Sequence, residues 1–196
     1  MKSLLFLLAC IAITTRSASQ AKVPPANIQI KMALLAAPEE KRAGAMVYGY
    51  DANAKLVVLR KGTNEMICLG DNPAIKGFSA ACYHKDLEPF MKRGRELRAE
   101  GVSEDKATQT RDAEVKSGKL KMTTKPASLY VLSADDPDCD YVNGNVKNGY
   151  LRSVIYIPYA TAESTGLPLK PAGPGMPWIM FPGTPRAHIM INPSSK

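Results

Sequence analysis

The chain has 196 residues, of which 45% are hydrophobic and 22% are charged, and its net charge at neutral pH is +8. This length leaves room for one sizeable core but not for two. The basic residues form clusters without interleaved aromatic side chains, which favours solvated faces over nucleic-acid binding.

Residues 1–21 are typical of a cleavable secretory signal peptide. Lys2 precedes an apolar run over residues 4–13, and small residues follow up to Ala21. The run is too short for a membrane-spanning helix, which needs roughly 20 apolar residues. We therefore expect cleavage after Ala21 and export to the periplasm or the medium. The alternative is a bacterial lipobox, in which Cys10 becomes a lipid-anchored N-terminus.

The part of the chain that follows begins with one predicted helix and three predicted strands. Residues 27–37 carry apolar side chains at helical spacing, with Asn27 as the N-cap. Residues 46–50 and 56–60 are rich in strand formers and are separated by a turn-forming segment, which predicts a hairpin. Residues 66–69 predict a third strand that continues the meander.

Two helices and four further strands are predicted downstream. The helix that begins at Asp86 has an apolar face and ends at Gly101, whereas residues 103–117 predict a helix with few apolar positions that covers the surface. Short apolar runs predict strands at 128–132, 153–157, 178–181 and 187–191. Together the elements predict a single α+β domain over residues 22–196, with an antiparallel sheet of about six strands and two or three helices packed on one side.

Three cysteines follow the predicted cleavage site, at positions 68, 82 and 139. Cys68 and Cys82 flank a loop that contains proline and glycine, and the oxidising compartment expected for an exported chain permits a disulfide between them. Such a bridge would leave Cys139 unpaired. The spacing leaves two alternatives open, a bridge from Cys139 to either of the other cysteines and no bridge at all.

Two motifs resemble those of a family of exported bacterial proteins to which no activity is attached. The first is Gly-Thr-Asn followed by three residues and a cysteine, at residues 62–68. The second is Gly-Thr-Pro followed by His188, Met190 and Ile191, within residues 183–191. The resemblance implies an exported bacterial protein and supplies no mechanism.

Aromatic and polar side chains gather around the second motif. Trp178 and Phe181 precede the turn that contains Thr184, and His188 follows it. We interpret these four residues as a binding site for a small ligand or an envelope protein, because no assembled catalytic signature accompanies the export signal. No cofactor is predicted.

No metal site is predicted either. Asp136, Asp138 and Asp140 alternate as the ligands of a calcium loop do. However, Tyr141 stands where such a loop requires glycine, and Lys147 stands where it requires a bidentate glutamate. A solvated acidic loop is therefore expected.

An alternative function is a hydrolase-like enzyme in which a cysteine nucleophile, Cys82 or Cys139, works with His84 or His188. These two are the only histidines of the chain. The alternation along the last strand predicts His188 on its more polar face. The two functions differ in what they require of the cysteines, because a nucleophile must be free whereas a bridge removes it.

Overall fold

The computed structural model describes residues 23–194. The predicted signal peptide at residues 1–21 lies outside the described residues, and so does the alternative of a lipid anchor at Cys10. Within the described part, no helix is long and apolar enough to cross a membrane.

The described residues form five α-helices and ten strands, eight of which build one sheet. The helices are α1 (Ala26–Leu34), α2 (Glu39–Arg42), α3 (Glu88–Ala99), α4 (Glu104–Lys116) and α5 (Ala162–Thr165). The strands are β1 (Met46–Tyr50), β2 (Leu56–Arg60), β3 (Met66–Leu69), β4 (Phe78–His84), β5 (Ala127–Ala134), β6 (Cys139–Asp140), β7 (Asn145–Val146), β8 (Tyr150–Tyr156), β9 (Trp178–Met180) and β10 (His188–Ile191). The strand order in the large sheet is β2-β1-β3-β4-β5-β8-β10-β9, while β6 and β7 pair separately. The α+β class and the mostly antiparallel sheet are confirmed, but the sheet has eight strands and not about six.

The strands β1 and β2 form the predicted hairpin. The carboxylate of Asp51 closes its turn by accepting a hydrogen bond from the N–H of Lys55 (3.0 Å). The predicted meander is wrong for β3, which lies on the other side of β1 and runs parallel to it. The cause lies just before β3, where the N–H groups of Thr63 and Asn64 donate to the carbonyl of Gly44 (2.8 and 3.1 Å). These bonds bring the start of β3 beside the start of β1.

The sequence does not predict β4, which lies near the centre of the sheet between β3 and β5. Phe78, Ala80 and Cys82 are buried on one side of this strand, and Tyr83 is buried on the other. A strand covered on both faces shows no alternation of polar and apolar residues, and alanine is a weak strand former. The local pattern therefore gives little indication of a strand.

The sequence predicts helices on one face of the sheet, but in the structure helices cover both faces. Met32 and Ala33 of α1 pack with Val47 in one buried cluster. Leu87, just before α3, packs with Tyr83 in the other. The reason is that the strands alternate apolar side chains toward both sides, so that helices on one side alone would leave the other apolar face in water. We name the two sides the α1 face and the α3 face.

The predicted helices are present with shifted ends. α1 begins at Ala26 after Pro25, so that Asn27, the predicted N-cap, lies in the first turn. α4 begins after Ser103 as predicted, although Ser103 makes no side-chain cap hydrogen bond. Arg111 of α4 is buried, with 7% exposure. This helix therefore contributes to the interior and does not only cover the surface.

A buried polar network fixes α3 to its face of the sheet. The side chain of Tyr83 has 0% exposure. Its hydroxyl donates to Glu88 (2.6 Å) and accepts from Arg95 (2.8 Å), and Arg95 also donates to Glu88 (2.7 Å). Burial raises the pKa of Tyr83, so the hydroxyl keeps its proton. A fully paired network of this kind specifies one packing of helix on strand.

The predicted disulfide between Cys68 and Cys82 is confirmed. The two residues lie directly opposite each other on β3 and β4, with their Cα atoms 4.0 Å apart. Both are fully buried in the cluster beneath α1. Cys139 is the free cysteine of the described residues.

Candidate functional site

The residues predicted to bind a ligand lie at one edge of the sheet. The register of β9 and β10 places Trp178 opposite Met190 and Met180 opposite His188. Residues directly opposite in an antiparallel pair point to the same side of the sheet, as do alternate residues of one strand. Met190 packs into the cluster of the α3 face. Trp178 and His188 therefore share that face.

Thr184 stabilises the turn that joins the two strands. Its hydroxyl donates to the carbonyl of Phe181 (2.7 Å) and accepts from the N–H of Arg186 (3.2 Å). Gly183, beside it, has a φ of 72°, the left-handed region that glycine adopts without steric cost. The hydroxyl of Thr184 is thus directed into the turn, where it positions Phe181.

Phe181 and Tyr159 hold backbone conformations that bulky residues rarely adopt. Their φ angles are 51° and 64°. This left-handed region costs a non-glycine residue roughly 1–2 kcal/mol. The side chains are nevertheless exposed, Phe181 to 41% and Tyr159 to 50%. Strain of this kind persists only where the surrounding structure enforces it, and it concentrates at functional sites.

Backbone hydrogen bonds tie the loops of these two aromatic residues together. The N–H of Tyr159 donates to the carbonyl of Thr184 (2.8 Å), and the N–H of Gly183 donates to the carbonyl of Ala160 (2.8 Å). The two loops thereby hold each other in place, and the rings are presented on a fixed frame.

Arg186 connects this frame to α4. The central carbon of its guanidinium lies 3.9 Å from the centre of the Phe181 ring, within cation–π distance. Its Nε donates to the carboxylate of Asp112 (2.9 Å), and both side chains of this pair are mostly buried. We name Tyr159, Phe181 and Arg186 the aromatic surface.

His188 lies beneath the aromatic surface. Its ring centre is 5.3 Å from that of Tyr156 and 5.7 Å from that of Phe181. The sequence predicts His188 on the more polar face of its strand, and in the structure the side chain is buried there, with 7% exposure. Its Nδ1 lies 2.8 Å from the carbonyl of Arg186, and since a carbonyl only accepts, Nδ1 donates. Burial lowers the pKa of His188, so the ring is neutral at pH 7 and supports Phe181 from below.

Buried polar atoms without a hydrogen-bond partner among residues 23–194 include three on elements next to the aromatic surface. They are Nε of Arg111, Oδ1 of Asp112 and Nε1 of Trp178. The guanidinium of Arg111 stacks over the ring of Phe90 at 4.4 Å, and burial lowers its pKa. Unpaired buried groups are rare, and bound water or a partner normally satisfies them.

Within the described residues, no hydrogen bond pairs a free thiol with a histidine, as the alternative enzymatic site requires. The sulfur of Cys82 is bonded to Cys68. Burial raises the pKa of the Cys139 thiol, which lowers the fraction of reactive thiolate. His84 accepts a hydrogen bond from the N–H that follows it by two residues (3.2 Å). Among the hydrogen bonds of the described residues, none joins His84 or His188 to a cysteine.

The three alternating aspartates of the acidic loop each make a different hydrogen bond. Asp136 accepts from the N–H of Gly77 (3.0 Å), Asp138 accepts from the side chain of Asn148 (2.8 Å), and Asp140 caps its own turn. In the part of the chain that the structure describes, no three His, Cys, Asp or Glu side chains converge on a possible metal position.

Two of the residues at this site, Tyr159 and Arg186, are not among those predicted to bind. Neither carries a sequence signal, because the left-handed conformation usually falls on glycine or asparagine and because Arg186 acquires its partner from a distant helix. Comparisons with protein-family models, with curated proteins and with solved structures found no match to this chain. The resemblance of the two motifs to exported bacterial proteins therefore stays a prediction, and a function has to be inferred from the aromatic surface itself.

Proposed function

We propose that this chain is an exported bacterial domain that binds a partner protein of the cell envelope through the aromatic surface and catalyses no reaction of its own. The observation that carries the proposal is the pair of exposed rings, Tyr159 and Phe181, on left-handed backbone. Because these two side chains are exposed, their contribution to the stability of the fold does not explain the strain of their left-handed backbone. An interface, in contrast, gains two anchors that lose little conformational entropy on binding.

The composition of the aromatic surface supports a protein as the partner. Tyrosine, phenylalanine and arginine are enriched in the centres of protein interfaces, and tyrosine and arginine are frequent hot spots. The ring of Phe181 contacts both the guanidinium of Arg186 and the ring of His188, and these contacts restrict its orientation before a partner binds. Cleavage after Ala21 removes Lys2 and Arg16 from a chain of net charge +8, so the mature domain carries +6, which favours a partner that is acidic around its apolar contact.

Two observations support export. Residues 1–21 follow the pattern of a signal peptide. A fully buried disulfide is typical of proteins that fold in an oxidising compartment. Expression of the full chain in a bacterium, followed by mass spectrometry of the envelope fractions, should give a chain that begins at Lys22. An intact chain in the cytoplasm would contradict export, whereas a lipid adduct that is lost in Cys10→Ser would establish the alternative anchor.

The partner is best tested by photo-crosslinking in the producing cell. A benzophenone amino acid in place of Tyr159 should crosslink one envelope protein. The same amino acid in place of Val58 serves as the control, because Val58 is similarly exposed (45%) and belongs to β2, at the opposite edge of the sheet. Equal products from both positions, or no protein product from position 159, would overturn the proposal.

The affinity of the crosslinked protein then measures the role of the ring. Phe181→Gly should weaken binding by about 30-fold or more, the loss of a hot-spot residue. Val58→Ala should leave the affinity unchanged. An affinity that is the same for wild type and Phe181→Gly would show that the captured protein binds elsewhere.

A further inference from the structure

A cavity of about 370 Å³ opens on the α1 face, on the side of the sheet opposite to the aromatic surface. Its apolar wall includes Met32 of α1 together with Pro73 and Ile75 of the loop between β3 and β4. Its polar groups include Asp71, Asp136 and the hydroxyl of Tyr141. The volume lies within the range of small-molecule sites, roughly 300–1,000 Å³.

Backbone and side-chain donors hold both carboxylates in place. Oδ1 of Asp71 accepts from the N–H of Ser79 (2.9 Å), and its Oδ2 accepts from the hydroxyl of Tyr141 (3.0 Å). Oδ1 of Asp136 accepts from the N–H of Gly77 (3.0 Å). The acidic groups are therefore oriented before a ligand arrives, which reduces the cost of binding.

The two carboxylates at the cavity have no ion-pair partner among the described residues. Among residues 23–194, neither Asp71 nor Asp136 forms an ion pair, although Lys76 also lines the cavity. Burial raises the pKa of Asp71, and the nearby charge of Asp136 adds to this effect. A half-buried carboxylate beside a like charge is stabilised by a cation placed between the two.

We propose that this cavity binds a small organic ammonium ion with an apolar body, the ammonium group at Asp71 and Asp136 and the apolar body against Met32, Pro73 and Ile75. The site is separate from the aromatic surface, so its test does not depend on the proposed protein partner. Tyr141 also lines the cavity, and aromatic rings attract ammonium groups.

A metal ion fits this cavity less well than an organic cation. Calcium takes six to eight oxygen ligands. The described residues bring no three metal-binding side chains together. The apolar wall supplies no coordinating atom to a metal ion, whereas it buries the hydrocarbon part of an amine.

The experiment is an NMR titration of the purified protein with 2-phenylethylammonium chloride at millimolar concentration. The amide signals of Gly77 and Ser79 are direct reporters, because these N–H groups bond the two carboxylates. Asp71→Asn and Asp136→Asn should each weaken binding by about tenfold, a loss of one charge contact. Asp51→Asn is the matched control, since Asp51 also accepts backbone hydrogen bonds but lies in the β1–β2 turn. It should leave the affinity unchanged.

Two further probes separate the charge from the apolar body. 2-Phenylethanol, which keeps the body and lacks the charge, should bind at least about tenfold more weakly. Methylammonium, which keeps the charge and lacks the body, should also bind more weakly. Equal binding of 2-phenylethanol, unchanged binding to both asparagine variants, calcium shifts at the same amides that exceed those of the amine, or no shift with 2-phenylethylammonium would each overturn the proposal.

Discussion

Replacing Cys68 and Cys82 together with alanine should lower the free energy of unfolding by about 3–5 kcal/mol. The bridge joins residues with a sequence separation of 14, and closing a loop of about 15 residues in the unfolded chain is worth about 3 kcal/mol on the chain-entropy model. Both side chains have 0% exposure, so deleting the two sulfur atoms also leaves unfilled core volume, at about 1 kcal/mol each. For a chain of this length the melting midpoint should fall by roughly 6–20 °C.

Urea unfolding of wild type, the double variant and Cys139→Ala measures this effect. Cys139 is the free cysteine of the described residues, so its variant keeps the bridge and should lie within about 1 kcal/mol of wild type. The dependence of the free energy on urea should become steeper in the double variant, because an unfolded chain without the cross-link exposes more surface.

The reasoning depends on the bridge being formed and buried. A double variant that unfolds within about 1 kcal/mol of wild type, with an unchanged urea dependence, would refute it, since the unfolded chain would then not be constrained at these positions. Rapid reduction of the native protein would refute the burial of the two sulfur atoms. Reduction should become fast only in urea.

Three other substitutions test separate parts of the structure. Tyr83→Phe should cost about 1.5–3 kcal/mol in urea unfolding, because a buried hydroxyl that bonds Glu88 and Arg95 is lost; a cost below about 0.5 kcal/mol would show that the network does not fix α3. The folded pKa of His188 is lowered by burial, so the unfolded chain binds the proton first as the pH falls through about 6.5, and stability should decline as the pH falls below about 7.5. His188→Gln should flatten this part of the profile, and identical profiles would contradict the burial. Phe181→Gly should be more stable than Phe181→Ala by about 1 kcal/mol, because alanine keeps the left-handed strain that glycine relieves; equal stabilities would contradict the strain.

Elements defined by local chemistry could be predicted from the sequence, and elements defined by their surroundings could not. The β1–β2 hairpin follows from a turn in which the carboxylate of Asp51 accepts a hydrogen bond from the backbone N–H of Lys55. The strand β4 contains two successive alanines and is a strand because β3 and β5 pair with it on both sides. The parallel direction of β3 depends on Gly44, which lies more than fifteen residues earlier and gives no signal in the segment itself.

The candidate site shows the same division. The Gly-Thr-Pro motif marked the turn, and its threonine does form the hydrogen bonds of a turn. The burial of His188 is not predictable from its own strand, because the rings of Tyr156 and Phe181 that pack against it come from other segments. The contribution of α4 to the interior is not predictable either, because this helix has few apolar residues. In the structure α4 contributes through polar groups: Arg111 covers the ring of Phe90, and Asp112 pairs with Arg186. Apolar periodicity cannot reveal a helix that packs by such contacts.

The eight-stranded sheet consists of two halves, each continuous in sequence. The strands β1 to β4 form one half and β5, β8, β9 and β10 form the other, and within the described residues the halves join where β4 pairs with β5. A chain that emerges N-terminus first would therefore complete the first half, disulfide included, while β4 is still an apolar edge, and unpaired edges invite association with other chains. α3 and α4 follow β4 directly and form by local contacts, which are made early in folding. These two helices are thus placed to cover one side of the incomplete sheet until β5 arrives.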